Sequence, residues 1–305
     1  MELSLSQENT FIHLLGLLQN DLSILPDKSE ENPDNTLRAL WFAASGQHVS
    51  PIVAMKYVLP GLTPEQLVHL DELVAQRLAG VPLAHLTGRQ HFLGMEYIVN
   101  KGLYIPRKET ELLASVAIET ANTHYEIANE ITLIDLCTGI GTVALAVAHH
   151  CNNVRVFGSD IYTPAIEAAH INSDHFGLTE RATFYNADLF TPFESLGLEG
   201  KVDIIVSAPP YISSAKVKNM AEEIAQHEPE EAFDAGPFGL SIFNQLIAVA
   251  PNYLRAGGFL IFECGLGQGE FLAKRISGNK RYASVEQVHD EHGNVRVLKA
   301  RLISE

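Results

Sequence analysis

The sequence is poor in cysteine, in basic residues and in long apolar runs. Its three cysteines, Cys137, Cys151 and Cys264, lack the paired spacing of a metal site, and so sparse a count fits a reducing compartment better than a disulfide framework. We therefore expect no metal. No apolar run approaches a membrane span, and the N-terminus lacks the basic region and apolar core of a secretory signal. The sequence predicts a soluble, cytoplasmic protein with no membrane partner.

Acidic side chains outnumber basic ones in this sequence. The 305 residues include 21 Lys and Arg against 37 Asp and Glu, which gives a formal net charge of -16 at pH 7. A protein that binds a phosphate backbone needs a basic surface, so the charge argues against a nucleic-acid partner. The length allows one large or two modest domains, and we predict two.

What the chain does contain is a strand, a glycine loop and a helix over Ile131–Ala144. An apolar, β-branched run reaches Asp135, glycines follow at positions 139 and 141, and an alanine-rich helical pattern begins at once. Glycine lets a ligand approach the main chain, and a helix N-terminus offers unpaired N–H groups. The pattern predicts a site for an anionic or carboxylate-bearing cofactor. Alone, it permits nicotinamide, flavin or adenosyl cofactors.

Acidic residues close the next two predicted strands. Val154–Asp160 ends in an acid about 20 residues past the glycines, where a carboxylate can accept both ribose hydroxyls, and Ala182–Asp188 also ends in an acid. Val202–Ser207 then runs into Ala208-Pro209-Pro210-Tyr211. Ligands of open α/β sheets bind at these carboxyl ends, although such acids often only cap the following helix.

The N-terminal part has helical signals. Residues 1 to about 85 predict a small helical bundle, with N-caps at Ser50 and Thr63, a capping-box partner at Gln66 and a stop at Gly80. Residues 86–107 alternate and predict a β-hairpin that turns at Asn100-Lys101-Gly102 and links the bundle to a domain over 108–305.

The order of motifs is recognisable. The chain resembles the S-adenosylmethionine-dependent glutamine methyltransferases that modify peptide-chain release factors, the HemK/PrmC-type family. The resemblance covers nearly the whole chain and rests on LIDLCTGIG, SD, NADLF, IIVSAPPYI, HEPEEAFDAG and FECGLGQG. It implies an α/β fold with a seven-stranded class I (Rossmann-like) methyltransferase sheet, preceded by a helical domain that helps to hold the acceptor.

The C-terminal pattern agrees with this fold. The strand-like runs Tyr282–Asp290 and Val295–Ile303 are separated by four residues, and so short a connection requires an antiparallel hairpin. An antiparallel strand in the sheet distinguishes this fold from the all-parallel nicotinamide-binding sheet. It favours S-adenosyl-L-methionine, with S-adenosyl-L-homocysteine as the product, over a nucleotide redox cofactor.

The resemblance also implies a set of cofactor residues. The loop would face the methionine part of the donor, Asp160 its ribose and Asp188 the exocyclic amine of adenine. Cys137 stands where the family more often has glycine. The full set is Asp135, Cys137, Thr138, Gly139, Gly141, Asp160, Ile161, Asp188, Leu189 and Ser207.

One departure bears on the acceptor. Where the family has Asn-Pro-Pro-Tyr, this chain has Ala208, which cannot supply the side-chain hydrogen bond that holds a glutamine amide. The expected catalytic segment is the loop Ala208 to Tyr211, which includes Pro209 and Pro210. The candidate base is His227, although a histidine in a loop is more often simply solvated. Arg107, Glu111 and Glu228 are the expected acceptor contacts.

Ala208 therefore favours an acceptor that is more nucleophilic than an amide, most simply a nitrogen or hydroxyl of a small molecule. Three alternatives stay open. The enzyme modifies a release-factor glutamine, with a natural or an engineered Asn-to-Ala change; it is a retired protein that only binds the donor; or it is an NAD-dependent oxidoreductase.

Overall fold

The computed structural model describes residues 3–124 and 130–304. The chain divides into two compact units. The first contains the chain up to Lys108 together with Met220–Glu228, and the second contains Glu109–Asn219 and Pro229–Glu305. Residues 86–107, expected as a separate linker, thus belong to the first unit, and a short distant segment returns to it.

Helices dominate the first unit. The bounds are Leu5–Asp21 (α1), Pro33–Ala44 (α2), Pro51–Ala54 (α3), Pro64–Leu78 (α4) and Leu83–Thr87 (α5). The N-caps form as the sequence predicts: the Ser50 side chain accepts from the Val53 N–H, and Thr63 and Gln66 form a reciprocal capping box. The core surrounds Trp41, which is fully buried and donates its indole N–H to the Pro60 carbonyl at 2.7 Å.

A two-stranded antiparallel hairpin follows, formed by Arg89–Phe92 (β1) and Met95–Ile98 (β2). The chain reverses at Leu93 (φ 46°) and Gly94 (φ 81°). The prediction that the hairpin turns at Asn100-Lys101-Gly102 is therefore wrong, because this segment lies after β2. A leucine with positive φ is uncommon, which is why the two-residue turn was not apparent in the sequence.

The second unit alternates helices and strands. It starts with Thr110–His124 (α6), Ile131–Leu136 (β3), Thr142–His150 (α7), Val154–Asp160 (β4), Thr163–His175 (α8), Ala182–Asn186 (β5), Val202–Ser207 (β6) and Ser214–Val217 (α9). Glu222–His227 (α10) lies in the segment that returns to the first unit. Ser241–Tyr253 (α11), Leu254–Glu263 (β7), Gly269–Ser277 (α12), Tyr282–His289 (β8) and Val295–Leu302 (β9) complete the fold.

Seven of these strands form one sheet in the order β5-β4-β3-β6-β7-β9-β8. The strands β5, β4, β3, β6 and β7 pair in parallel, and β9 pairs antiparallel with both β7 and β8. The expected seven-stranded sheet with its C-terminal antiparallel hairpin is confirmed. The central strands β3 and β6 are almost entirely buried, as expected for parallel strands covered on both faces. Their carboxyl ends therefore lie at one edge, where the sequence places its polar residues.

Buried ion pairs attach the returning segment within the first unit. Glu223 Oε2 lies 3.1 Å from Arg77 Nη1. Glu228 pairs with the Arg107 guanidinium and also accepts from the Ile105 N–H at 3.0 Å. Because Arg77, Arg107 and Glu228 are nearly inaccessible to solvent, each charge depends on its partner.

Candidate active site

Asp135, the next-to-last residue of β3, hydrogen-bonds to both sides of the glycine loop. Its Oδ2 accepts from Thr138 Oγ1 at 2.7 Å and from the Ala144 N–H at 3.1 Å. The carboxyl is 1% exposed, and burial raises its pKa to about 7, against the effect of these two hydrogen bonds. Asp135 thus joins the start of the loop to the first turn of α7.

Three residues of the loop have left-handed backbone conformations: Cys137 (φ 60°), Gly139 (φ 55°) and Gly141 (φ 82°). A Cβ on Gly141 would lie 2.9 Å from Leu145 Cδ1, so close packing excludes a side chain there. A Cβ on Gly139 would meet no atom within 4 Å. The loop therefore presents an open backbone surface at Gly139. Burial raises the pKa of the Cys137 thiol well above its ordinary value, which keeps the thiol protonated.

Asp160, at the end of β4, joins two loops. Its Oδ2 accepts from the Gly139 N–H at 2.9 Å, and its Oδ1 accepts from the Tyr162 N–H at 2.9 Å. Each carboxylate oxygen can accept a further hydrogen bond. Burial raises the pKa of Asp160, in opposition to the backbone donors. This carboxylate lies directly against the open glycine and is oriented from both sides.

Beyond Asp160, the edge offers both apolar and acidic groups. The Ile161 side chain is 58% exposed, and the Asp188 carboxylate is exposed after β5. Leu189 has a positive φ of 41°, and its carbonyl accepts from Ser159 Oγ at 2.7 Å. Ile161 and Asp188 follow the carboxyl ends of the neighbouring strands β4 and β5.

The segment Ala208 to Tyr211 follows β6 directly. Ser207, the last residue of β6, donates its hydroxyl to the Leu136 carbonyl at 2.8 Å and so links the ends of β6 and β3. Gln268 Nε2 donates to the Tyr211 carbonyl at 3.1 Å, and Arg296 Nη2 lies 3.4 Å from the Tyr211 hydroxyl. Neither Gln268 nor Arg296 is among the site residues predicted from the sequence. Gln268 lies in the GLGQG motif, which was a sequence signal that could have identified it. No motif of the sequence includes Arg296.

The expected acceptor residues are divided between the units. Arg107, His227 and Glu228 belong to the first unit, and Glu111 lies in the first turn of α6 in the second. Both oxygens of Glu228 are engaged, by Arg107 and by the Ile105 N–H. Arg107 Nη1 has no hydrogen-bond partner among residues 3–124 and 130–304. The spare donor is therefore on Arg107, whereas Glu228 supports it.

Comparisons with known proteins identify the family. A family model described as the methyltransferase small domain matches residues 110–238. A release factor glutamine methyltransferase of Bacillus cereus is 31% identical over 241 residues, which are 79% of this chain and 83% of the relative. The chain belongs to the release factor glutamine methyltransferase family. A relative from Geobacter sulfurreducens with the same name is 32% identical over 79% of this chain and 80% of its own.

A third member, from Chlorobaculum tepidum, is 30% identical over 91% of this chain and 93% of its own length. A methyltransferase structure from Pyrococcus furiosus is also similar, with a TM-score of 0.46 and 17% identity over 70% of this chain and 91% of that one. The family membership makes the protein an S-adenosyl-L-methionine-dependent methyltransferase, as the sequence predicts.

The residues present fit this cofactor. The open face of Gly139 admits a ligand against the main chain, and Asp160 offers carboxylate lone pairs beside it. The donor supplies a methyl group already activated by a sulfonium. Within the described parts of the chain, no cluster of metal-ligating side chains and no helix long and apolar enough to span a membrane is found.

Proposed function

We propose that this methyltransferase transfers the methyl group of S-adenosyl-L-methionine to the side-chain amide nitrogen of a glutamine in a peptide-chain release factor. The observation that carries the proposal is the name shared by relatives that match 79% to 91% of this chain. These relatives do not support the small-molecule acceptor that Ala208 suggested. Because release factors act on ribosomes, we also propose that the reaction takes place in the cytoplasm.

For the donor, we propose that the backbone around Gly139 and Gly141 receives the methionine part and that Asp160 accepts from the ribose hydroxyls. Asp188 would accept from the adenine amine, with Ile161 and Leu189 against the ring. The support is local: Asp160 is held beside the open glycine, and Ile161 is exposed instead of buried. Asp135, Cys137, Thr138 and Ser207 would shape this site, since the Asp135, Thr138 and Ser207 side chains hydrogen-bond within the second unit.

The acceptor step requires orientation more than acid or base strength. An amide nitrogen is a weak nucleophile because its lone pair is delocalised into the carbonyl, so the enzyme has to hold it in line with the methyl group and exclude water. We propose that the backbone of Pro209 and Pro210 and the Tyr211 side chain do this. Arg107 would contact the acceptor chain, and Glu228, which accepts from Arg107 Nη2, would hold Arg107 in place. Roles for Glu111 and for His227, as a proton acceptor, belong to the same proposal.

The test uses methyl-labelled S-adenosyl-L-methionine, the protein and a purified bacterial release factor. We expect label in the release factor, and none when the glutamine of its GGQ sequence is replaced by alanine. A parallel reaction contains an extract of small metabolites in place of the release factor. Label in the metabolite fraction with none in the release factor would overturn the proposal and restore the small-molecule acceptor. Donor binding without transfer to either would favour a protein that only binds.

A further inference from the structure

Tyr211 is held at its backbone by a side chain from another part of the fold. Gln268, just before α12, donates from Nε2 to the Tyr211 carbonyl at 3.1 Å and to the Gly239 carbonyl at 3.4 Å. Its other amide atom, Oε1, accepts from the Gly265 N–H at 2.9 Å. These three hydrogen bonds of the Gln268 side chain all go to the main chain, so a single amide links Tyr211, Gly239 and Gly265.

The packing around this amide leaves no space for side chains. A Cβ on Gly239 would lie 2.6 Å from the Tyr211 carbonyl oxygen, and a Cβ on Gly265 would lie 2.9 Å from Tyr211 Cδ2. Real Cβ atoms do not approach so closely, and backbone atoms cannot easily move aside. A side chain at Gly239 would displace the Tyr211 backbone, and one at Gly265 would displace the side chains of Gln268 and Tyr211.

The phenol of Tyr211 has a separate partner. Arg296 Nη2 lies 3.4 Å from the Tyr211 hydroxyl and 3.3 Å from Glu263 Oε1, and the guanidinium lies 5.8 Å from the centre of the tyrosine ring. Arg296 is 7% exposed and Glu263 is 2% exposed. Glu263 ends β7, at the same edge of the sheet as Asp135 and Asp160. Arg296 and Glu263 thus form a buried ion pair beside the Tyr211 hydroxyl, and each charge depends on the other for compensation.

We propose that Gln268 and Arg296 are positioning residues for methyl transfer, which hold Tyr211 at its carbonyl and at its hydroxyl. Tyr211 is the last residue of the segment that begins at Ala208. Holding the carbonyl and the hydroxyl of Tyr211 therefore fixes the orientation of this segment. Ala208 has no polar side chain to orient an acceptor, so more of the orientation depends on the rigidity of this backbone. This inference takes from the proposed function only the identity of the acceptor, a release-factor glutamine.

The first experiment compares kinetic constants for variants and matched controls. Arg296→Met removes the charge, Arg296→Lys keeps a donor, and Gln268→Glu keeps the acceptor for the Gly265 N–H but loses the donor to Tyr211. We expect Arg296→Met and Gln268→Glu to lower kcat about tenfold or more, with the affinity for S-adenosyl-L-homocysteine unchanged within about twofold, and Arg296→Lys to recover most of the loss. The controls are Arg301→Met, an exposed arginine on the same strand β9, and Gln287→Glu, an exposed glutamine on β8. A parallel loss of donor affinity would indicate a merely structural role and overturn the proposal.

A double-mutant cycle tests whether Arg296 acts through the phenol. In a Tyr211→Phe background the hydroxyl contact is already lost, so Arg296→Met should lower kcat only about two- to threefold further. If the two losses multiply, Arg296 acts elsewhere, and its part of the proposal is wrong.

A measurement without an acceptor separates this proposal from the proposed function. We would follow hydrogen exchange of residues 207–216 in the protein saturated with S-adenosyl-L-homocysteine. Exchange should be faster in Arg296→Met and Gln268→Glu than in the two controls. If the unmodified enzyme does not methylate the release factor, the proposed function fails, while faster exchange would still support the proposal that Gln268 and Arg296 hold Tyr211. Unchanged exchange in both variants would overturn it.

Discussion

Arg77 and Glu223 are 146 residues apart in the sequence, yet their side chains meet at 3.1 Å inside the first unit. Arg77 Nη2 also donates to Glu31 Oε2 at 3.2 Å, and Lys28 Nζ lies 3.3 Å from Glu223 Oε1. Two bases and two acids thus share one buried cluster. Burial raises the pKa of Glu31, while Lys28 and Arg77 oppose this effect. Removal of Arg77 would leave two buried acids with Lys28 as their one basic partner in the cluster.

Arg77→Met should therefore lower the free energy of unfolding by about 3 to 5 kcal/mol, because two buried acids, Glu31 and Glu223, would then share the single charge of Lys28. Urea unfolding followed by circular dichroism measures this. The control is Arg155→Met, which removes a surface pair with Glu130 whose side chains are 41% and 65% exposed. Such exposed pairs contribute about 0 to 1 kcal/mol. A loss of less than about 1 kcal/mol in Arg77→Met would show that the cluster is not coupled as described.

Ala208→Asn should raise the rate of glutamine methylation. The family resemblance implies that an asparagine side chain at this position holds the acceptor amide, and a hydrogen bond of about 1 to 2 kcal/mol in the transition state corresponds to roughly tenfold in rate. The assay is transfer of labelled methyl to a release factor, and Ala215→Asn, an exposed alanine on α9, is the control. No gain in kcat/KM would mean that this chain orients the amide by other groups.

Asp160→Ala should weaken donor binding about tenfold or more, because the carboxylate both orients the Gly139 N–H and offers lone pairs to the ribose. Isothermal titration with S-adenosyl-L-homocysteine gives the affinity. Asp174→Asn, an exposed aspartate on α8, serves as the control and should bind as the unmodified protein does. Equal affinities for Asp160→Ala and the control would remove Asp160 from the donor site.

His85 should make the first unit less stable in acid. Its ring is buried, with Nε2 placed 3.0 Å from the Leu103 carbonyl, and burial lowers its pKa from 6.5 to about 4, with further repulsion from Lys28, His227 and Arg107. Between these values the unfolded chain binds a proton that the folded chain does not, so the stabilising contribution is lost as the pH falls from 6.5 toward 4.

The measurement is the free energy of unfolding at several pH values. From pH 7 to about 4.5, the unmodified protein should lose roughly 2 to 3 kcal/mol more than His85→Gln. His13→Gln, at an exposed position of α1, should follow the unmodified protein throughout. Parallel curves for all three proteins would contradict the buried neutral histidine.

The sheet and its edge could be predicted because their signals are local. Runs of β-branched residues, each ending in Asp135, Asp160 or Ser207, give both the strands and the positions of their polar ends. Glu263 follows the same rule at the end of β7, and the rule would have found it. The positive φ of Cys137 gives a physical reason for the family preference for glycine at that position.

The rest depends on contacts between distant parts of the chain. Neither the pairing of Glu223 with Arg77 nor that of Arg296 with Tyr211 has any pattern in sequence, because both require the folded path of the chain. Glu228 illustrates the difference. As a sequence feature it lies in a family motif and suggests contact with an acceptor, whereas in the structure both of its oxygens are engaged by Arg107 and the Ile105 N–H.

The return of Met220–Glu228 to the first unit limits how this protein can recombine with its relatives. A chimaera that takes residues 1–108 from another member exchanges Arg77 and Arg107 but leaves Glu223 and Glu228 behind. Unless the relative that contributes residues 1–108 has basic residues at the equivalent positions, Glu223 and Glu228 lose these partners. Residues 1–108 therefore cannot be exchanged by themselves, and a functional chimaera has to exchange Met220–Glu228 with them.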